Sequence, residues 1–397
     1  MNLYITADQI GIQSGGGRVT LEESEALKTM GPCDVWGREQ LPLNDPVFGA
    51  VDQWAYEEPW RYDFRAMRKL VDAKLRPEIA HFYAGTFSHA VAHLQAVGCK
   101  VVYTAAAHDI TTSRKAHEEL GVLYNYPHLT DPVLWERYVR GYLEADVLVC
   151  PSKHSADVMR GFGAKNRIEV IPHGVDLSKC LNCEGEGKLG TWAGEQLEFK
   201  EYACSACNGT GIAPASPLPT RFIVGTMGAI AGPDKGLIDL LRAWKLLNYR
   251  DALMVLGGSQ SASPWVQQLI DASGASNVVC TGWLDDVSAF YDSLSLYVQP
   301  SRSEGFGCEV LEAMAYGRPV LCSVGAGAAD LVPLGWTYPA GNMQELMQGI
   351  ADAKNASNGE LMELGQQNRI VAGDYTWPKI RERYVKLWRE VLNEKRA

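Results

Sequence analysis

Residues 303–321 read SEGFGCEVLEAMAYGRPVL and set Glu304 and Glu312 on either side of a glycine-flanked turn, Gly305-Phe306-Gly307. The apolar run before them, LYVQPS (Leu296 to Ser301), predicts a buried strand, and EVLEAMAYG predicts a helix ending at Gly317. A strand feeding a glycine turn and then a helix leaves backbone N–H groups open at the helix start, where an anion is favoured. Glu304 precedes the turn, and Glu312 lies about two turns into the helix. Both therefore reach toward hydroxyl groups of a ligand whose phosphates rest on the turn. A plain strand-turn-helix unit with two solvent-facing glutamates has the same spacing, so the rest of the chain must decide between them.

Around this unit, short apolar runs alternate with helical patterns, which predicts an α/β fold of parallel sheets covered by helices. In the first half the strand candidates are LYIT, EIAHFYA (Glu78 to Ala84), KVVYTAAA (Lys100 to Ala107), DVLVC (Asp146 to Cys150) and RIEVIPH (Arg167 to His173). A second series runs through RFIVGTMG, ALMVLGG, VVCTGW, LYVQPS and PVLCS. Its helix KGLIDLLRAWKLL carries Leu237, Leu240, Leu241, Trp244 and Leu247 on one stripe. Two successive doubly wound, Rossmann-like units account for this order most simply.

With 397 residues the chain is long enough for two domains that each bury a core. The start, MNLYITADQIGIQSGGG, lacks the basic and apolar regions of a secretory signal, and no run approaches the ~20 apolar residues of a membrane-spanning helix. A net charge of −10 argues against a broad nucleic-acid footprint. Cys150, Cys280 and Cys322 lie in apolar runs and read as buried thiols, so a reducing, cytoplasmic compartment is expected.

Between the two series lies a cysteine-rich insertion. Cys180 and Cys183 form one CxxC and Cys204 and Cys207 another, each followed by x-Gly-x-Gly. Two such knuckles about twenty residues apart predict a tetrahedral four-thiolate, metal-binding site, with TWAGEQLEFKEY between them as a small hairpin. Structural zinc in a zinc-ribbon-like unit is the first expectation. Iron, or two redox-active or idle CxxC pairs, remain the alternatives. Four thiolates leave no open position, so no catalytic metal is expected.

EGFGCEVLEAMAYGRPVL resembles the Glu-x7-Glu signature of the family-4 retaining glycosyltransferases of GT-B fold. The resemblance implies two Rossmann-like domains facing a cleft. They take in residues 1–177 on the acceptor side and 217–376 on the nucleotide-sugar side, with the insertion at 178–216. The closing helix, 377–397, is expected to pack back toward the first domain. By the same resemblance the protein is a transferase moving a sugar from a UDP- or GDP-linked donor to a hydroxyl acceptor. That acceptor (small molecule, glycan, protein or nucleic acid) is not named by the sequence.

Residue by residue, Lys235 and the helix start at Phe306, Gly307 and Cys308 are expected on the diphosphate. Glu304 is expected on the sugar hydroxyls and Glu312 on the ribose. Gly16 and Gly17, in GIQSGGGRVT, match the loop that approaches the donor, though a glycine cluster there also reads as a plain turn. His108 matches a histidine near the transferred sugar, and His173 is a minor ligand candidate.

GAIAGPDKGLIDLL departs from the pattern: Ala229 stands where the family carries an arginine. Losing one of two diphosphate cations costs on the order of 3 kcal/mol of transition-state stabilisation, with Arg18 or Arg302 as possible replacements. Two alternatives follow. One is a GT-B-shaped binding or scaffold protein with weakened transferase activity. The other is a glycosyltransferase acting on modified bases of nucleic acid, supported by the basic stretch WRYDFRAMRKLVDAKLR (Trp60 to Arg76) and the insertion. A solvated helix is the plainer reading of that stretch.

Overall fold

The computed structural model describes residues 1–6, 10, 15–37, 59–83, 87–105, 110–119, 132–177, 188–193, 198–203 and 215–394. The first lobe holds strands β1 (Asn2–Thr6), β2 (Cys33–Trp36), β3 (Ile79–Tyr83), β4 (Lys100–Thr104), β5 (Val147–Cys150) and β6 (Arg167–Val170). Helices α1 (Gly15–Lys28), α2 (Pro59–Asp72), α3 (Ser88–Ala96), α4 (Ile110–Glu119), α5 (Pro132–Glu144) and α6 (Lys153–Gly161) connect them. All pairs are parallel, in the order β2-β1-β3-β4-β5-β6. Every residue of β1 and β3 is buried, which is why these strands read as continuous apolar runs rather than alternating ones.

A hairpin of β7 (Lys188–Ala193) and β8 (Glu198–Ala203) follows, where the sequence predicts one. The second lobe holds β9 (Ile223–Met227), β10 (Leu253–Gly257), β11 (Val278–Cys280), β12 (Leu296–Gln299), β13 (Val320–Ser323) and β14 (Thr337–Tyr338). Its helices are α7 (Leu237–Leu247), α8 (Pro264–Ser273), α9 (Ser288–Asp292), α10 (Cys308–Ala315), α11 (Met343–Asn355) and α12 (Asn358–Ala372). These strands are also parallel, in the order β11-β10-β9-β12-β13-β14. The order reverses between β9 and β12. In an open parallel sheet the crevice beyond the strand ends at such a reversal is where ligands bind. The loops that leave β9 and β12 carry Lys235 and Glu304.

The closing helix α13 (Trp377–Asn393) buries Trp377, Ile380, Tyr384, Leu387, Trp388 and Val391, a 3-to-4-residue stripe. That stripe packs with Tyr4, Val19, Leu27, Val102 and Val147 of the first lobe. Its indole N–H at Trp388 donates to His81 Nδ1 at 3.0 Å, so the helix is fixed by a directional bond as well as by apolar area.

The sequence reading is thinnest over residues 31–77. The structure adds β2 there and shows that α2 is anchored rather than simply solvated. Ala66 and Leu70 enter the core, and both Asp63 carboxylate oxygens cap the start of α3 through the His89 and Ala90 N–H groups at 2.8 Å. Among the described residues no helix is long and apolar enough to cross a membrane.

Candidate functional site

The loop after β9 ends in a short turn, Pro233–Lys235, followed by Gly236 at φ 72°. A side chain at Gly236 would strike the Pro300 carbonyl, so glycine lets the loop lie directly on the end of β12. That close approach sets the Lys235 ammonium against Glu304 Oε2, with both side chains three-quarters or more buried. Burial disfavours the Lys235 charge, but Glu304 and Glu309 outweigh it and hold the ammonium above its usual range.

Glu304 is fixed on both sides. Its N–H donates to the Gly325 carbonyl at 2.9 Å, and its carbonyl accepts from Gly327 at 3.1 Å. A buried relay supports its carboxylate: Tyr297 OH donates to Gln299 Oε1 at 2.8 Å, and Gln299 Nε2 to Ser301 Oγ at 2.9 Å. Ser301 Oγ in turn reaches Glu304 Oε2 at 3.5 Å. Sequence reasoning missed this relay. Its signal was three polar groups at alternate positions of LYVQPS, on one face of a strand.

Gly307, at φ 90°, opens α10, and Phe306 beside it is buried. Glu312 accepts from Tyr291 OH at 2.6 Å, while burial raises its pKa above the usual carboxylate value. Cys308 sits at a helix start, where a thiolate is normally favoured. Burial and the carboxylates of Glu309, Glu312 and Glu304 instead push its thiol well above the usual value.

The first lobe touches these loops directly. Ser152 caps α6 by accepting from Ser155 N–H at 3.0 Å, and its hydroxyl donates to the Gly305 carbonyl at 2.7 Å. His173 lies edge-on to Phe306 with ring centroids 5.2 Å apart, and burial depresses its pKa to about 4, so it is neutral. Ser113 of α4 reaches Asp234 at 3.4 Å.

Both arginines offered as substitutes for the missing cation are ion-paired to carboxylates. Arg302 forks onto Asp239 at 2.7 and 2.8 Å and also pairs with Glu119. Arg18 pairs with Glu22 at 2.7 Å and Asp176 at 3.0 Å. Gly16 and Gly17 open α1. His108 and the four cysteines Cys180, Cys183, Cys204 and Cys207 lie outside the described residues.

Residues 14–179 match the family model described as Glycosyltransferase Family 4, and residues 221–354 match the one described as Glycosyl transferases group 1. The two matches fall one on each lobe, the family 4 match on the first parallel sheet and the group 1 match on the second. Its relatives and fold neighbours are glycosyltransferases. An uncharacterized glycosyltransferase of Haemophilus influenzae is 30% identical over 168 residues, which take in 40% of this chain and 45% of that one. The chain thus spans less than half the length of that relative. The sucrose-phosphate synthase of Thermosynechococcus elongatus superposes at a TM-score of 0.72 and 17% identity, over 98% of both chains. The Anabaena protein HepE, solved in complex with UDP, superposes at 0.61 and 17% identity, over 98% of this chain and 99% of that one. At these identities the likeness is one of fold.

Proposed function

We propose that this protein is a retaining glycosyltransferase that moves a sugar from a nucleotide-diphosphate-sugar donor, UDP- or GDP-linked, to a hydroxyl acceptor. The observation that carries this reading is the meeting of Lys235, Glu304 and the α10 start at the reversal point of the second sheet. Lys235 and the N–H groups at Phe306, Gly307 and Cys308 neutralise charge on the diphosphate as it leaves. Glu304 accepts from the sugar hydroxyls and Glu312 from the ribose. Gly16 and Gly17 are assigned to the diphosphate, and His108 to the transferred sugar. The bond between the anomeric carbon and the phosphate oxygen breaks with its electron pair going to the diphosphate. The acceptor oxygen enters on the same face, and its proton passes to the departing phosphate oxygen. No protein nucleophile is needed.

Single-turnover assays with a panel of nucleotide sugars, begun with UDP-linked ones because HepE holds UDP, test this reading. Proton NMR of the product reports the anomeric configuration. Transfer with inversion overturns the retaining mechanism. Donor binding without any transfer favours the second reading, a GT-B-shaped binding protein, for which Ala229 beside the acidic Glu309 is the motive.

The insertion is proposed to hold one structural zinc through Cys180, Cys183, Cys204 and Cys207. Lys188 pairs with Ala203 across the β7–β8 hairpin, so the segments bearing the two CxxC pairs leave from the same end. A unit this small needs a metal to fold. Elemental analysis finding neither zinc nor iron rules this out. Replacing Cys183 and Cys207 by serine is expected to abolish the metal and expose residues 179–211 to protease.

A further inference from the structure

Glu309 opens α10 just after the glycine turn, and its carboxylate accepts its own backbone N–H. That N–H is one of the donors a helix start offers to an anion. Oε1 also occupies the space a side chain at Gly228 would take, so the carboxyl bridges the loops after β9 and β12. Only about 10 Å³ remains open between Thr226, Met227, Ala229, Lys235, Glu304 and Glu309. An ionised carboxylate here stands in the place of the diphosphate and repels it. A neutral acid here donates a hydrogen bond to a phosphate oxygen instead.

We propose that Glu309 is the proton carrier of the donor site: the diphosphate of a nucleotide sugar binds to its neutral acid form, so each donor bound takes up one proton from solvent. The proposal rests on the donor-site reading above. The groups that face Glu309 are Lys235 from the loop after β9, Glu304 from the loop after β12, and Cys308 and Glu312 from α10. Tyr291 of α9 and Tyr297 of β12 complete the set. Lys235 is the one cation among them, and Glu304 already pairs with it. Burial, followed by the charge of Glu304, pushes the Glu309 carboxyl up to about 7 against the pull of Lys235. Ala229 supplies no second cation to hold the ionised form. The free protein therefore carries both forms near neutrality, and an incoming diphosphate selects the neutral one.

The test is calorimetric titration with UDP-glucose and GDP-mannose from pH 5.5 to 8.5, in two buffers of different ionisation enthalpy. Neither sugar diphosphate has its own titration in that window. Wild type is expected to take up close to one proton above pH 7 and to lose about tenfold in affinity per pH unit there. Glu309→Gln is expected to bind with a flat profile, no proton uptake, and tighter than wild type at pH 8.5. Matching profiles in wild type and Glu309→Gln overturn the proposal. So does a linkage that survives in Glu309→Gln and vanishes in Glu304→Gln, which places the proton on Glu304. Binding of neither probe by any variant at any pH overturns the donor-site reading itself and this proposal with it.

Discussion

Each lobe buries carboxylates, and the two lobes treat them in opposite ways. In the first lobe Glu23 is enclosed by Tyr4, which donates at 2.7 Å, by Thr104, which donates at 3.2 Å, and by His81 at 3.2 Å. Because the Trp388 indole N–H donates to His81 Nδ1, that ring has Nε2 left to face Glu23 and Thr104. Burial raises the carboxyl, but the His81 charge and the bonds from His81, Tyr384 and Tyr4 outweigh it, and Glu23 lies below its usual range. In the second lobe Glu309 and Glu312 are buried with fewer donors, and both lie above theirs. Burial alone thus predicts nothing about charge; the charges and donors that face each carboxyl decide it, Glu304 raising Glu309 where His81 lowers Glu23. The saturated cluster welds α13 to the first sheet, while the undersupplied one keeps capacity for a ligand.

The sharpest way to break this contrast is Glu23→Ala, which strands the Tyr4, Thr104 and His81 donors in the core. A loss of about 3 kcal/mol in urea unfolding is expected, with donor affinity unchanged. Because folding depresses the Glu23 pKa, its stabilisation is present above the unfolded value of about 4.3 and is lost as pH falls through the lower folded value. Wild type should therefore show a steeper acid-side slope than Glu23→Ala. Equal stability of the two proteins from pH 3 to 7 would deny the cluster its welding role.

Lys235→Ala is expected to show its main effect on chemistry, a fall of about a hundredfold in single-turnover rate. A rate within threefold of wild type would remove Lys235 from the leaving-group site. Glu312→Gln should weaken free-nucleotide binding about tenfold, whereas Glu304→Gln should weaken chiefly the binding of the sugar-bearing donor. Unchanged nucleotide affinity in both mutants would sink that division of labour. The smallest effect is expected from Ala229→Arg: a gain of about two- to fivefold in turnover, limited because Glu309 competes for the new guanidinium. Adding Glu309→Gln to Ala229→Arg should enlarge it, and a fall in rate with either variant means that the crevice already holds enough positive charge.

The strand-turn-helix unit was legible because its information is local: spacing alone sets Glu304 before the turn and Glu312 inside the helix. The stripe of α7 and the amphipathic closing helix were readable for the same reason. The relay through Tyr297, Gln299 and Ser301 was not, because an apolar run with polar members reads as core until their common face is known. Glu309 passed as one more helical residue, since nothing local says that Gly228 lies against it. The pairings of Arg18 with Asp176 and of Arg302 with Asp239 join residues distant in sequence, so only the fold shows them.

By itself, then, the sequence determined two parallel-sheet units, the turn between two glutamates, and the substitution of alanine for a cation at residue 229. The first two follow from periodicity and spacing, which act over a few residues; the third is what the resemblance to the family pattern implies. Only the tertiary structure decided which charges meet. Lys235 reaches Glu304 because Gly236 lets one loop lie on the end of another strand, and Arg302 is consumed by Asp239. Pairing and burial set protonation, and both depend on neighbours that the chain brings together only when it folds.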